Sequence, residues 1–308
     1  MFPKEKRPDL PPSMKVKDDR HIFLTIDSSR WIPEVDKAKC VLKMDRLKKK
    51  SIEIGSIIDR TLIEEVGFVD QLSTLLHREL KDVNGDNRFV SNAWEKALET
   101  REPVYYELVV EVLSTFHFNE HIYRSEDPIK SKCIRFRAAR VWVMTSLVKF
   151  GVMLGLYTKP QTLSEHFSEY FLRGAVKPVD NFRCATFWAT IGRGPYAMSN
   201  TKSSSIILPE HRLLHRMLAG TLTLRRTIKK KVSEGDMWLL LLLINRDTFT
   251  NLPFILAKMF MDTSESKDPI GSSLIGGQFI TIIANKHGLL TQQVKSTLTE
   301  VTPMGNLG

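Results

Sequence analysis

The run "MWLLLLLI", Met237 to Ile244, constrains the fold of this chain more than any other stretch. As a helix, eight apolar residues span about 12 Å, against a bilayer hydrocarbon core of roughly 30 Å. Asn245, Arg246 and Asp247 follow at once. The run is therefore too short to cross a membrane and predicts a buried helix. A buried helix must be covered by other elements.

Most of the chain from Ile52 onward carries helical periodicity. "SIIDRTLIEEVGFVDQLSTLLHREL" has apolar residues at helical offsets, interrupted at Gly67, and Val69, Leu72, Leu75 and Leu76 share one face of its second half. "VNGDNRF" reads as a turn, and Ser91 as the N-cap of a helix through "SNAWEKALE". Pro103 opens "VYYELVVEVLSTF", whose Tyr105, Leu108, Val109, Val112, Leu113 and Phe116 form one broad stripe. "CIRFRAARVWVM" alternates apolar and charged residues about a turn and predicts a small hairpin. "TSLVKFGVMLGLYT" follows as a helix with Thr145 as N-cap and Gly155 as its stop. Two further helices, "EGDMWLLLLLI" and "NLPFILAKMFM", precede "IGGQFITIIANKHGLL". The expected fold class is mostly α: a multi-helix globular domain with one small β-hairpin, over residues 52–290. Residues 1–51 are expected to be a disordered basic segment, dispensable for folding. Within it "KAKCVLKMDRLKKK" could form a helix or order only against a partner. Residues 291–308 are expected to be a flexible C-terminal tail.

Charge points to a class of partner. The net charge is +10 and the pI about 9.4, although the 26% of charged residues is ordinary for a globular protein. An excess of this sign favours a polyanion and says nothing about fold. It is also concentrated. Between Lys202 and Lys231 eight basic residues face one acid, Glu210, a net +7. Arg212 and Arg216 fall one helical turn apart, and Arg225, Arg226, Lys229, Lys230 and Lys231 extend the run into a loop. These seven are the candidate nucleic-acid contacts, with a solvated face or an import signal as the plainer alternative. Cys40, Cys133 and Cys184 lie far apart, with no Cys-x-x-Cys among them. With no apolar stretch of signal-peptide length in "MFPKEKRPDLPP", they suggest reduced thiols and an intracellular location, cytoplasm or nucleus.

"EHRLLHRMLAG" sets His211 and His215 four residues apart, the spacing of a zinc-protease helix. Such a helix needs a glutamate directly after the first histidine, to activate the water. Here that residue is Arg212, which cannot act as a base and sits badly beside a dication. The pair is expected to be structural, flanking a face of Leu213, Leu214, Met217 and Leu218. "GRGP" has no Gly-Lys-Ser/Thr after it, "IGGQF" lacks dinucleotide-binding spacing, and no Gly-x-Ser-x-Gly occurs. No catalytic residue, metal ligand, cofactor or small-molecule substrate is expected.

The order of these stretches resembles the first-open-reading-frame, Gag-region protein of Athila-type plant retrotransposons, elements of the Gypsy class. "EPVYYELVVEVLSTF" is similar to that family's Tyr-x-x-Leu-x-x-Glu-Phe-Leu-x-x-Phe helix, and "IRFRAARVWVMTSLVKFGVMLGLYT" to its hairpin, helix and Leu-Gly-Leu-Tyr block. "SSSIILPEHRLLHRMLAGTL" and "LIGGQFITIIANKHGL" resemble two later blocks. The chain departs from the pattern at Lys149, where the family block has an acid. It has no Cys-x₂-Cys-x₄-His-x₄-Cys knuckle, no Asp-Ser/Thr-Gly protease loop and no Tyr-x-Asp-Asp polymerase turn. The resemblance implies a non-enzymatic structural protein that self-associates into homo-oligomers and touches RNA or another polyanion, without a membrane partner. The alternative is a host-adopted nuclear module of plant-mobile-domain type that binds protein or DNA.

Overall fold

A computed structural model describes residues 22–25, 36–55, 60–65, 67–177, 182–197, 200–224, 231–246, 248–266 and 273–302. A short 3-10 turn, Ile22–Leu24, comes first. Helix α1 (Lys37–Leu47) follows, then α2 (Arg60–Glu65) and α3 (Val69–Leu76). Strands β1 (Arg78–Lys81) and β2 (Asn87–Ser91), α4 (Ala93–Leu98) and β3 (Val104–Tyr105) lead into α5 (Tyr106–Thr115). Next come β4 (His117–Phe118), α6 (Glu120–Ser125), β5 (Ile134–Ala138), β6 (Val141–Thr145) and α7 (Leu147–Met153). Then come α8 (Lys159–Thr162), α9 (Phe167–Arg173), α10 (Cys184–Ile191), α11 (Pro209–Thr221) and α12 (Glu234–Ile244). Last are α13 (Leu252–Glu265), α14 (Gly277–Lys286), α15 (Gln292–Lys295) and β7 (Glu300–Val301).

The expected fold class, mostly α with one hairpin, is corrected. Of the described residues about 52% are helix and 14% strand, the strands forming three small sheets, and so the fold is an α/β mixture. β5 and β6 are the expected hairpin, but β4 joins them in a three-stranded sheet. A second hairpin, β1–β2, encloses the turn around Asn84 and Gly85, and β3 pairs with β7. The physical reason is length. Strands of two residues have no periodicity to read, and β1 begins inside a stretch whose apolar spacing continues the helical pattern of α3.

The helix wrapped on all sides is α5: each of its ten residues is buried. It packs against α1, β5, α13 and α14. α12 packs against α11, α10 and α3, with Trp238, Leu241 and Ile244 only half-buried. No helix among the described residues is long and apolar enough to cross a membrane.

Both terminal segments differ from expectation where they are described. α1, placed in the disordered basic segment, buries Cys40, Met44 and Leu47 against the core. Its cations cap α13. Lys43 Nζ donates to Ser264 Oγ at 2.9 Å, Arg46 to Ser264 O at 2.5 Å and Lys50 Nζ to Ser266 O at 3.1 Å. Basic groups are stabilised there because a helix C-terminus presents unpaired carbonyls and partial negative charge. Residues 291–302, placed in the flexible tail, carry α15 and β7. Glu107 holds them, accepting from Thr299 N (2.8 Å) and Thr299 Oγ1 (2.7 Å).

α7 forms where it was expected, one residue out at its start: Ser146, not Thr145, is the N-cap. Gly155, at φ +82°, ends it, with Gly155 N bonded to Val152 O and Leu156 N to Gly151 O, both at 3.0 Å. The two glycines of "IGGQF" are required by packing. A Cβ on Gly276, itself at φ +82°, would sit 2.4 Å from Phe260, and one on Gly277 2.5 Å from Val104.

Candidate polyanion-binding surface

α11 starts as its sequence dictates: Pro209 occupies the first turn, where no N–H is needed, and Glu210 faces the positive end of the helix. Leu214, Met217 and Leu218 are buried, which turns Arg216 outward. Arg212 shares that side but is engaged locally. Its guanidinium folds back to Ile206 O (3.2 Å) and Ile207 O (3.3 Å) and secures the chain's entry into the helix. Of the candidate contacts, Arg216 is thus fully presented and Arg212 only in part.

Arg225, Arg226, Lys229 and Lys230 lie outside the described residues. The ends of their segment are described. On one side Leu224 is buried at φ +41°. On the other, Lys231 forms an antiparallel bridge with Lys202, and Val232 N donates to Thr201 O at 2.9 Å. Both lysines are exposed. Like charges set directly across a bridge repel, and an anion lying over them would relieve that repulsion. Lys202 belongs to the basic run but was not among the expected contacts; only the fold reveals that it stands beside Lys231.

The two histidines part company. His215 is fully buried, with Nε2 3.3 Å from Asp236 Oδ2. Asp236 also closes the capping box of α12, accepting from Ser233 N at 2.8 Å while its own N–H reaches Ser233 Oγ at 3.2 Å. His215 therefore ties α11 to the first turn of α12. His211 is half-buried over a shallow groove with Asp70, Gln71 and Thr74, and burial holds its pKa below the ordinary value while Glu210 opposes the shift. Among the described residues no group of three or more His, Cys, Asp or Glu could hold a metal ion.

One chain of polar side chains escaped sequence reasoning. Ser73 Oγ is 3.4 Å from His77 Nδ1, and His77 Nε2 is 3.0 Å from Glu95 Oε2. Ser73 and Glu95 border a cavity of about 120 Å³ with Ile63, Leu72, Leu76 and Met217. The order is that of nucleophile, base and carboxylate. Yet His77 is the C-cap of α3, its backbone N–H donating to Ser73 O at 3.0 Å, and the contact between the two side chains is long for an activating bond. The chain latches the C-terminus of α3 to α4. No sequence signal could have found it, because Glu95 arrives from a different element.

A second buried polar group holds the hairpin. Glu111 Oε1 lies 2.7 Å from Arg137 Nε and accepts the Arg140 N–H at 2.9 Å. Ala139 (φ +46°) and Arg140 (φ +68°) form the β5–β6 turn in a backbone region that favours glycine, so these bonds offset local strain. Arg137 also donates to Phe23 O (3.1 Å) and Thr25 O (3.0 Å). Burial pushes the Glu111 carboxyl up to about 7, against the pull of Arg137 and the turn amides.

Comparison with known proteins leaves the chain to its own geometry: no protein-family model matches it, and neither does any curated protein or solved structure.

Proposed function

We propose that the chain is a non-enzymatic, Gag-like structural protein that self-associates and contacts RNA through the basic segment between α11 and α12. The observation that carries this reading is the Lys202–Lys231 bridge. It sets two exposed lysines directly opposite one another at the end of a segment whose sequence contains Arg225, Arg226, Lys229 and Lys230, with Arg216 exposed on the adjoining helix. No aromatic residue interrupts Arg225 to Lys231, so contact is to phosphates and is indifferent to base sequence. Self-association draws support from β6, the outer strand of its sheet among the described strands, where Val141 and Met144 are exposed.

Size-exclusion chromatography with light scattering, with and without single-stranded RNA, tests both halves. Large oligomers that grow with RNA are the expected result. A monomer whose mass RNA leaves unchanged overturns the proposal, and a small complex with duplex DNA alone would favour the nuclear-module reading.

A further inference from the structure

A second group of cations stands apart from residues 202–231. The register of β4 and β5 sets His117 directly opposite Arg135, so the two side chains leave the same face of the sheet. From α1, Lys39 and Lys43 bring their charges to bear on the same imidazole. Together with burial, which is the largest influence, these cations hold the His117 pKa below its ordinary value, and Glu265 on α13 opposes them. Glu265 is itself shared, lying 3.7 Å from Lys43 Nζ. The Cys40 thiol and the Asp36 carboxylate complete the charged and titratable surroundings on α1.

Arg135 is the unusual member. Almost every other buried or half-buried cation of this fold has an acceptor: Lys43, Arg46 and Lys50 cap α13, and Arg78 donates to Leu242 O and Leu243 O, both at 2.7 Å. Among the described residues the half-buried Arg135 guanidinium makes no hydrogen bond or ion pair, and its Nε is enclosed. Three cations with one shared acid, and a guanidinium lacking a protein acceptor, make an arrangement that an oxyanion would complete.

We propose that Arg135, His117 and Lys39 form a binding site for a phosphoryl group, with Lys43 adding charge from behind. Arg135 supplies a planar fork of donors matched to phosphate oxygens, His117 supplies a ring N–H, and Lys39 closes the solvent side. Binding favours uptake of a proton, because the anion opposes the burial and the cationic repulsion that lower the His117 pKa. The site shares no residue with the α11–α12 segment.

The test follows the His117 ring resonances of the full chain by NMR while three probes are added separately: orthophosphate, a nucleoside 5′-monophosphate and a dinucleoside phosphodiester. Orthophosphate should give a saturable shift at about millimolar concentration and raise the His117 pKa. Arg135→Met should weaken binding at least about tenfold, a loss of about 1.4 kcal/mol, while melting no lower than the parent without phosphate. A response to the diester assigns the site to a nucleic-acid chain. A response confined to orthophosphate and the monoester assigns it to free phosphate or a monoester end. The double variant Lys202→Gln/Lys231→Gln should keep the response, so that this site and the RNA surface fail separately. The proposal is overturned if no probe gives a saturable shift, if chloride at matched ionic strength reproduces it, or if it survives Arg135→Met.

Discussion

At the scale of the residue, Glu111 shows how a buried carboxyl can serve a fold while preferring to be neutral. Its Oε1 takes both the Arg137 contact and the Arg140 amide, while Oε2 is buried with no hydrogen-bond partner. A proton on Oε2 would therefore break no hydrogen bond, although it would weaken the ion pair with Arg137. With its folded pKa raised from 4.5 to about 7, the carboxyl holds its proton more tightly in the folded chain than in the unfolded one. The stability this confers is fully present below about pH 4.5 and is lost as the pH climbs through about 7. Glu111→Gln keeps the carbonyl oxygen and puts an amide where Oε2 is. Urea unfolding across pH 4 to 8 should show that this variant lacks the decline; an identical pH profile would mean that Glu111 is ionised throughout. Phe150 sets the apolar counterpart. It is fully buried, with Phe116, Phe136 and Phe260 rings 6.1, 6.4 and 6.2 Å away. Phe150→Ala should cost about 3–5 kcal/mol, read as a large drop in melting temperature, whereas an unchanged melt would place the ring outside the core.

At the scale of the element, α1 carries the clearest reversal. A basic stretch reads as solvated, but Met44 and Leu47 are buried and Tyr106 donates its hydroxyl to Lys48 O at 2.7 Å. A chain beginning at Ser51 should lose cooperative thermal unfolding or melt far lower by circular dichroism, since it uncovers α5 and strips the caps from α13. Equal melting of the two chains would show α1 to be an accessory. α7 was legible because one signal governs each of its features: an apolar face of Leu147, Phe150, Met153 and Leu154, an exposed Lys149, and a glycine where the backbone must turn left-handed. The β5–β6 hairpin was legible through alternation. β3 and β7 were not, because each is two residues long and Val104 pairs with Val301 from the far end of the chain. The Asn84–Gly85 turn was seen but its flanking strands were not, since "HREL" prolongs the spacing of α3. In the candidate surface, the structural part of His215 could be inferred from Arg212, whereas the pairing of Lys202 with Lys231 needed the fold.

At the scale of the whole molecule, the net charge of +10 overstates what is offered to a partner. Lys43, Arg46 and Lys50 serve α13, Arg78 serves α12, and Lys96 and Lys286 close the end of α7 through Leu156 O and Val152 O. Arg137 is held by Glu111. Helix ends thus absorb much of the basic excess. Among the exposed cations, Lys202, Arg216 and Lys231 flank the α11–α12 segment, whose sequence adds Arg225, Arg226, Lys229 and Lys230. The most direct measurement is a salt titration of single-stranded RNA binding, by fluorescence anisotropy, for the parent and for a variant with all seven residues changed to Gln. The parent should lose affinity with a log–log slope of about −0.7 for each phosphate contacted. The variant should bind every RNA sequence more weakly and with a flatter slope. If the variant binds as tightly as the parent at every salt concentration, the α11–α12 segment is a solvated surface and the account of an RNA-binding, Gag-like protein is wrong.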